Sequence, residues 1–401
     1  MAIDNKDKKV LKSSIEREQN EVACSAECEK IKGSKNLNVP HLRFPEFSGE
    51  WEMASLQDIA AINPKSDQLQ NTFIYIDLEA VEKGELRKIQ EIMREEAPSR
   101  AQRVINNNDI LFQCVRPYQK NNYIHKILNT SNQQWVASTG YAQIRTTESP
   151  NYIYHLLNTD GFNRKVMVRC TGSSYPAINS EDLATIRFYY TPDKKEQFKI
   201  SRLLDLIDER IATQNKIIEK LQSLIKGLAA QLTQSGTPNI RLCDCLECHS
   251  STLLENCVSV TGSYPVYGAT GLIGYTNNYA YNGESILIVK DGSGVGSLSY
   301  VNDHFSVIGT LNYLTAKENY SILYLYYALM AFNFTPYITG MAIPHIYFKD
   351  YGKAKLFYPS IEKRIRIASL LHNIEQKLVV EQNLVISLST QKSYLLRMLF
   401  I

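Results

Sequence analysis

The stretches "PDKKEQFKISRLLDLIDERI" (192–211) and "PSIEKRIRIASLLHNIEQKL" (359–378) are two copies of one pattern, and this pattern decides the fold. They align without a gap at a constant offset of 167 positions, so that Leu204 matches Leu371 and Ile211 matches Leu378. Their apolar residues recur in steps of four and three, which is the heptad pattern of helices that pair along a seam. The chain is therefore predicted to carry the same long helix twice, each copy following a different globular segment.

The heptad seam runs through both predicted helices in the same register. Each helix has a polar residue at the same seam position, Gln214 in the first copy and Glu381 in the second. Polar seam residues cost stability but fix the register of a helix pair. A helix of about 40 residues spans roughly 60 Å at a rise of 1.5 Å per residue. The apolar seam residues predicted for the two helices are Ile200, Leu204, Ile207, Ile211, Ile218, Leu221, Ile367, Leu371, Ile374, Leu378, Val385 and Leu388.

The simplest partner for one long helix is the other, and the chain connection favours an antiparallel pair. In that arrangement the second helix starts where the first ends, whereas a parallel pair needs a return over the full helix length. This predicts an α+β protein with two similar α/β domains, held apart by two long helices that form an antiparallel coiled coil with pseudo-two-fold symmetry. The alternative is a buried helical hairpin without a spacer role, which the duplication disfavours.

The repeat extends beyond the long helices. "YIYHLL" (152–157) pairs with "YLYYAL" (324–329), and "TGSSYPAIN" (171–179) pairs with "TGMAIPHIY" (339–347). Each half ends in a Tyr-rich helix, a Thr-Gly loop, a strand, a proline and a long helix, whereas the earlier parts share little sequence. A duplicated frame with two diverged inserts is indicated. The predicted segments are a polar, mobile tail (1–38), a first domain (39–191), a central spacer helix (192–235), a second domain (236–358) and a distal spacer helix (359–401).

Composition sets only broad limits on function. The chain has 401 residues, of which 44% are hydrophobic and 21% are charged, as is ordinary for globular proteins. Its net charge of +3 is too small to argue for or against a polyanionic partner. The N-terminus lacks the apolar core of a signal peptide, and no apolar run approaches a membrane-spanning length. We expect a cytoplasmic protein without a membrane partner, whose cysteines are reduced.

No motif of catalysis stands out. The glycine-rich "DGSGVGS" (291–297) lacks the Lys-Ser/Thr of a P-loop and the spacing of a dinucleotide fingerprint, so a loop or hairpin is predicted there. The histidines are scattered, and no Ser-His-Asp arrangement is evident. The chain is therefore predicted to be a binding protein that has no catalytic residues of its own.

The stretch "CDCLECH" is dense in residues that suit zinc, namely Cys243, Cys245, Cys248 and His249. A zinc site needs a second ligand pair from elsewhere, and no such pair is found. Leu242 and Cys245 also align with Leu56 and Ile59 as apolar positions at the entrance of each domain. We predict no metal, and a structural zinc remains the alternative.

The globular segments carry side chains that suit nucleic acid. The first is rich in Arg and Lys, which neutralise phosphates, although interspersed Glu residues also fit a solvated surface. The second is dense in Tyr, Asn, Ser and Thr, which bond base edges and phosphates. Together with two similar domains on a spacer, this suggests that the protein reads two short DNA elements across an unread gap.

This arrangement resembles the specificity subunit of type I restriction-modification systems. The resemblance rests on "VPHLRFPEFSGEWE" (39–52), on "YPVYGATGLIGY" (264–275) and on the order of the duplicated helices. It implies two target recognition domains, each reading half of a split, asymmetric site in double-stranded DNA, with the coiled coil as a ruler. It also implies docking of two methyltransferase subunits and of restriction subunits. S-adenosylmethionine, ATP and Mg are then expected in those partners, and no cofactor in this subunit.

The resemblance places the Thr-Gly loops on the DNA side, and loop tips after buried strands supply further candidates. For each of these residues a surface or packing role is the alternative. A coiled-coil adaptor that binds no DNA, with two ligand-binding domains, and a metalloenzyme or nuclease using the Cys-rich stretch remain as other function classes. The DNA-binding candidates are Arg116, Lys120, Ser138, Thr139, Thr171, Ser173, Ser174, Tyr267, Thr270, Lys290, Asp291 and His345.

Overall fold

The computed structural model describes residues 38–126 and 133–401. The predicted mobile tail lies outside the described residues, apart from Asn38. The chain divides into two compact units: the first ends at Arg210 and takes in Leu388–Ile401, and the second is Ile211–Ser387. Each unit contains one globular domain and a part of both long helices.

The first unit is built from short strands and helices, and the first long helix begins in it. Its helices are α1 (Leu56–Ile59), α2 (Pro150–Leu157), α3 (Asp160–Arg169), α4 (Ser180–Ala184) and the long α5 (Lys194–Thr233). Its strands are β1 (Glu52–Ser55), β2 (Ala60–Ile62), β3 (Thr72–Ile76), β4 (Val81–Glu82), β5 (Glu85–Leu86), β6 (Gln90–Met93), β7 (Ala101–Ile105), β8 (Ile110–Gln113), β9 (Tyr123–Ile124), β10 (Gln134–Ser138), β11 (Tyr141–Thr146) and β12 (Arg187–Tyr190).

The second unit has longer strands and contains most of the second long helix. Its helices are α6 (Leu242–Cys245), α7 (Ile322–Met330), α8 (Phe348–Tyr351) and the long α9 (Ile361–Leu399). Its strands are β13 (Ile240–Arg241), β14 (Leu246–Ser250), β15 (Tyr264–Gly268), β16 (Gly271–Thr276), β17 (Tyr281–Val289), β18 (Leu298–Val307), β19 (Leu311–Ala316) and β20 (Lys355–Leu356). Short 3₁₀ turns lie at Arg94–Glu96, Pro117–Gln119, Glu255–Cys257 and Thr335–Tyr337.

The two domains share a frame that is larger than the sequence repeat shows. In the first, β2, β11, β8 and β9 form one sheet, and β6, β3, β10 and β7 form another. In the second, β14, β19 and β17 repeat the order β2, β11 and β8, and β18, β15 and β16 extend that sheet. Antiparallel ladders β1–β12 and β13–β20 join the start of each domain to the strand before its long helix. The frame depends on which positions are buried, and many different sequences give the same pattern of buried positions. The two domains can therefore share a fold where their sequences show no similarity.

The predicted α+β class with two similar domains is confirmed, with one correction. The order after each Thr-Gly loop includes a short helix that the sequence did not predict, α4 in the first domain and α8 in the second. Helices this short present little periodicity, so tertiary packing decides them. Leu242 and Cys245 are fully buried in α6, as Leu56 is in α1, which confirms their apolar role.

The long helices pair in an antiparallel sense. In the second unit the Gln214 amide donates to the Glu381 carboxylate. Just beyond the end of α5, the Ser235 hydroxyl accepts from Lys363 Nζ at 3.1 Å, so rising residue numbers on the first helix meet falling numbers on α9. In the first unit Lys392 Nζ lies 2.6 Å from the Asp208 carboxylate. All the apolar seam residues predicted above are buried or partly buried.

Carboxylates on the long helices anchor the Tyr-rich helix of each domain. In the first unit the buried His155 Nε2 lies 2.8 Å from the Asp205 carboxylate. In the second, the hydroxyls of Tyr326 and Tyr327 donate to the two oxygens of Glu375 at 2.9 and 2.7 Å. These contacts fix each domain on the helix that follows it in the chain. His155 and Tyr327 correspond in the repeat, whereas their carboxylate partners Asp205 and Glu375 lie at different repeat positions.

His125 is a fully buried histidine in the first unit. Its ring packs against Trp135, with ring centres 4.9 Å apart, and against Tyr123 at 6.1 Å. Within the described residues neither ring nitrogen has a hydrogen-bond partner. Burial disfavours the imidazolium and lowers the pKa of His125 to about 4.

Acid is therefore expected to destabilise this domain before its carboxylates titrate. An unfolded histidine binds its proton near pH 6.5, and the folded one near pH 4. The stabilisation is complete above the higher pKa, and roughly 2 kcal/mol of it is lost between pH 7 and pH 5. His125→Phe, which keeps the ring packing, should flatten this pH dependence in urea unfolding. The control is His41→Gln, at an exposed histidine of the same unit. If His125→Phe retains the full pH dependence, His125 is not its cause.

Candidate nucleic-acid interface

In the first unit the chain after β8 is joined to the Thr-Gly loop. The backbones of Thr171 and Ala177 exchange two hydrogen bonds of 2.9 Å, which close the loop. Arg116 N then donates to the Pro176 carbonyl at 2.7 Å. Gly172 has φ +90°, and a Cβ there would lie 2.9 Å from the Tyr175 carbonyl oxygen, so glycine is required. The structure thereby brings together the predicted residues Arg116 and Thr171.

The second unit builds the same loop with other side chains. The backbones of Thr339 and His345 exchange hydrogen bonds of 2.9 and 2.8 Å, and Gly292 N donates to the Pro344 carbonyl at 2.9 Å. Gly340 takes φ +87°, as Gly172 does in the first domain. Asp291 forms a bridge with His345, so these two predicted residues also meet. Gly292 therefore stands where the first domain has Arg116.

Arg116 and Tyr175 form an exposed stack in the first domain. The guanidinium carbon lies 4.3 Å from the centre of the Tyr175 ring, and Tyr175 is 63% exposed. A planar guanidinium bonds guanine edges or phosphates, and an exposed ring can make apolar contact with the methyl group of thymine. Sequence reasoning did not choose Tyr175, although it lies within the quoted "TGSSYPAIN" and its aromatic ring was the available signal.

The other candidates of the first domain divide into exposed and engaged residues. Ser173 and Ser174 are exposed in the Thr-Gly loop. Lys120 Nζ lies 2.6 Å from the Asp160 carboxylate and donates to the Asn158 carbonyl, so its charge is already paired.

Ser138 is the last residue of β10, and Thr139 begins the turn to β11, beside the loop after β8. Cys114 N donates to the Gly140 carbonyl at 3.0 Å, which fixes that neighbourhood. The Ser138 side chain is buried, and its hydroxyl accepts from Gly140 N at 3.2 Å. Thr139 is partly exposed, and its N–H donates to the Arg100 carbonyl at 2.9 Å. Of this pair, Thr139 is the one that offers a side chain to a ligand.

In the second domain Lys290 and Asp291 pair with each other, with Nζ 2.6 Å from the carboxylate. The His345 ring lies 5.0 Å from that of Tyr347, and the Lys349 ammonium lies 5.0 Å from the same ring. Tyr347 is 49% exposed and was not among the predicted residues.

The tip of this second loop is apolar. Met341 is fully exposed, and Ile343 is 65% exposed. The corresponding positions in the first domain are Ser173 and Tyr175. The two loops therefore share a backbone and differ in the chemistry that they present.

Tyr267 and Thr270 belong to the hairpin of β15 and β16. Tyr267 is partly buried, with its ring 6.4 Å from that of Phe305, whereas Thr270 is exposed at the hairpin tip. The Tyr267 carbonyl accepts from Ile308 N at 3.0 Å, and the Thr310 carbonyl accepts from Lys290 N at 3.0 Å. The hairpin and the loop after β17 thus border the same turn.

The glycine-rich and the Cys-rich motifs of the second domain both belong to the folded framework. The stretch "DGSGVGS" forms the turn between β17 and β18, as predicted. Burial raises the pKa of Cys245 to about 12 and that of Cys248 to about 11. His249 Nε2 lies 2.9 Å from the Thr315 hydroxyl, and its ring stacks on Tyr313 at 4.7 Å. Over residues 38–126 and 133–401, no three His, Cys, Asp or Glu side chains are grouped closely enough to hold a metal ion.

A membrane-crossing helix is also not found in the part of the chain that the structure describes, because none combines the required length and apolar character.

Comparison with known proteins supports one family. The family model described as "Type I restriction modification DNA specificity domain" matches residues 48–223 and 240–388, more than half of the chain. The EcoprrI type I restriction enzyme specificity subunit of Escherichia coli is 28% identical over 112 residues, which is 28% of each chain. The match thus spans well under two thirds of that relative.

Two solved structures share the fold. The type I restriction-modification S subunit of M. genitalium has a TM-score of 0.63 at 16% identity, over 90% of this chain and 99% of that one. A chain from a study of complex assembly and conformational transition of the type I R-M system has a TM-score of 0.52 at 20% identity. That match covers 89% of this chain and 98% of the other.

Proposed function

Because the chain belongs to the type I restriction-modification DNA specificity family, we propose that it is the DNA-reading subunit of such a complex. Each domain reads one half of a split, asymmetric site in double-stranded DNA, and the gap between the halves is not read. The subunit has no catalytic residues of its own and works in the cytoplasm. Methyltransferase and restriction subunits supply the chemistry, together with S-adenosylmethionine, ATP and Mg.

The observation that carries this proposal is the pair of corresponding loops with different side chains. The same glycine-dependent loop presents Tyr175 in one domain, where Arg116 of the adjoining segment stacks on it, and Met341, Ile343 and His345 in the other. Specific DNA readers hold reading side chains on a fixed backbone, and base identity is set by those side chains. The two loops have the same backbone but different side chains, which favours two half-sites of different sequence.

Exposed apolar residues on the long helices support the proposed partners. Phe198 on α5 is 64% exposed, and Ile365 on α9, at the corresponding position of the repeat, is 60% exposed. Single exposed apolar residues are ordinary, but the same exposed position recurs in both repeats, and we take this recurrence as the mark of a protein-binding surface. A face present twice suits two copies of one partner, which we assign as the methyltransferase subunit.

The proposal is tested by sequencing the methylome of a methylation-deficient host. The host expresses this chain with the methyltransferase encoded beside it, or that methyltransferase alone. We expect a split motif with methyladenine in both halves only when this chain is present. If the complex assembles but the methylation is the same in both strains, the DNA-reading function is wrong and the adaptor function takes its place.

Arg116→Ala is expected to weaken binding to the cognate duplex or to relax one half-site. A bidentate guanidinium contact is worth about 1–3 kcal/mol of discrimination between bases. The measurement is a binding titration on the motif obtained above and on single-base variants of it. The control is Arg87→Ala, which also removes a surface guanidinium but one that lies 2.9 Å from Glu85. If both variants bind and methylate as the parent does, Arg116 has no role in reading DNA.

A further inference from the structure

Arg103 is a half-buried arginine on β7 whose charge the fold leaves unpaired. It lies opposite Ala137 of β10, and Ala137 is followed by Ser138 at the end of that strand and by the turn that begins at Thr139. Its Nε is enclosed, and within residues 38–126 and 133–401 no side chain or carbonyl bonds to the guanidinium. The titratable group that acts on it is the thiol of Cys114, whose pKa burial raises to about 12, so this neighbour is neutral at pH 7.

Other basic side chains of this domain are satisfied by the protein. Arg145 makes two bonds of 2.8 Å to the buried Asp109 carboxylate. Lys126 Nζ bonds the side-chain carbonyl of Asn108 at 2.6 Å, and Lys120 pairs with an aspartate. Enclosing part of a charged group without a partner costs free energy, so a half-buried arginine that lacks a partner suits a site where a ligand completes it. Arg103 differs from its neighbours in this respect.

The location of Arg103 connects it with the candidate interface. Its neighbour Cys114 donates to the Gly140 carbonyl and accepts from Ile178 N, both at 3.0 Å. Cys114 therefore ties β8 to both the turn after β10 and the end of the Thr-Gly loop. Arg116, two residues further on, carries the exposed stack on Tyr175. Arg103 accordingly lies at the base of the surface to which we assign DNA.

We propose that Arg103 is a specificity-determining residue of the first domain, and that its two terminal amino groups bind the O6 and N7 acceptors of a guanine in the major groove. This inference rests on the function proposed above. The Arg103 Nε atom is enclosed, while the residue as a whole is partly exposed. The two terminal nitrogens of the guanidinium are therefore the part that is open to a ligand. This part matches two acceptors side by side, which a lysine ammonium does not.

The test compares Arg103→Met and Arg103→Lys in the full chain with its methyltransferase. Arg103→Met removes an unpaired charge, so the melting temperature of the chain should stay the same or rise. Affinity for the cognate duplex should fall about 5- to 150-fold, and one guanine of one half-site should no longer be required in the methylome. Arg103→Lys keeps the positive charge but loses the paired terminal nitrogens of the guanidinium. It should therefore also relax the requirement for the same guanine.

Arg145→Met is the matched control, because it removes the partner of the buried Asp109 carboxylate. It should lower the melting temperature and DNA binding together. An unchanged motif in both Arg103 variants, with either unchanged affinity or a uniform loss on all sequences, would overturn the assignment. A lower melting temperature of Arg103→Met with the motif intact would make Arg103 a packing residue. Absence of any motif with the parent chain would refute the proposed function itself.

Discussion

Replacing Arg43 by alanine is expected to lower the free energy of unfolding of the first domain by about 3–5 kcal/mol, because it leaves a buried carboxylate unpaired. Arg43 Nε and Nη2 lie 2.7 and 2.9 Å from the two oxygens of Glu196, whose side chain is fully buried in the first turn of α5. The Thr191 hydroxyl donates to the same carboxylate at 2.6 Å. The pair joins the start of the domain to the start of its long helix.

The measurement is urea unfolding of the parent and of three variants. Arg202→Ala is the control, since Arg202 pairs with Glu209 at 3.2 Å on an exposed face, where such pairs are worth about 0–1 kcal/mol. Adding Glu196→Gln to Arg43→Ala should restore part of the loss, because a neutral amide is cheaper to bury than a lone carboxylate. Equal losses in Arg43→Ala and Arg202→Ala would contradict this account.

Inserting one heptad beside Gln214 in α5 and one beside Glu381 in α9 is expected to widen the unread gap of the DNA motif. Seven residues lengthen a helix by roughly 10 Å, which corresponds to about three base pairs at 3.4 Å each. A whole heptad keeps the seam in register. Since the loops that carry Arg116 and His345 are untouched, both half-sites should stay the same.

Methylome sequencing measures the gap directly. The control inserts the heptad in α5 alone, which removes the matched partners from the seam and should reduce both folding and methylation. If the double insertion assembles and methylates with the original gap, the long helices do not act as a ruler.

Local periodic patterns could be predicted from the sequence, whereas contacts between distant residues could not. The heptads of α5 and α9 and the two Thr-Gly loops are patterns of neighbouring residues, each of which occurs twice in the chain, so the fold and the loop positions can be predicted from them. The sequence predicts Lys120 as a DNA contact, because it does not show that Asp160, 40 residues away, pairs with the charge of Lys120. Arg103 looked like any surface arginine, because only the sheet shows that it lacks a partner.

The contact between Gln214 and Glu381 has a consequence for how the two repeats recognise each other. Both side chains are almost fully buried, and they occupy the same place in the repeat. Two second repeats paired together would set carboxylate against carboxylate, and two buried like charges cannot both stay ionised. An amide against a carboxylate makes a hydrogen bond instead, and Lys377 at 2.5 Å supplies the balancing charge. Because Gln214 has an amide nitrogen where Glu381 has a carboxylate oxygen, the second repeat pairs better with the first repeat of the same chain than with another second repeat.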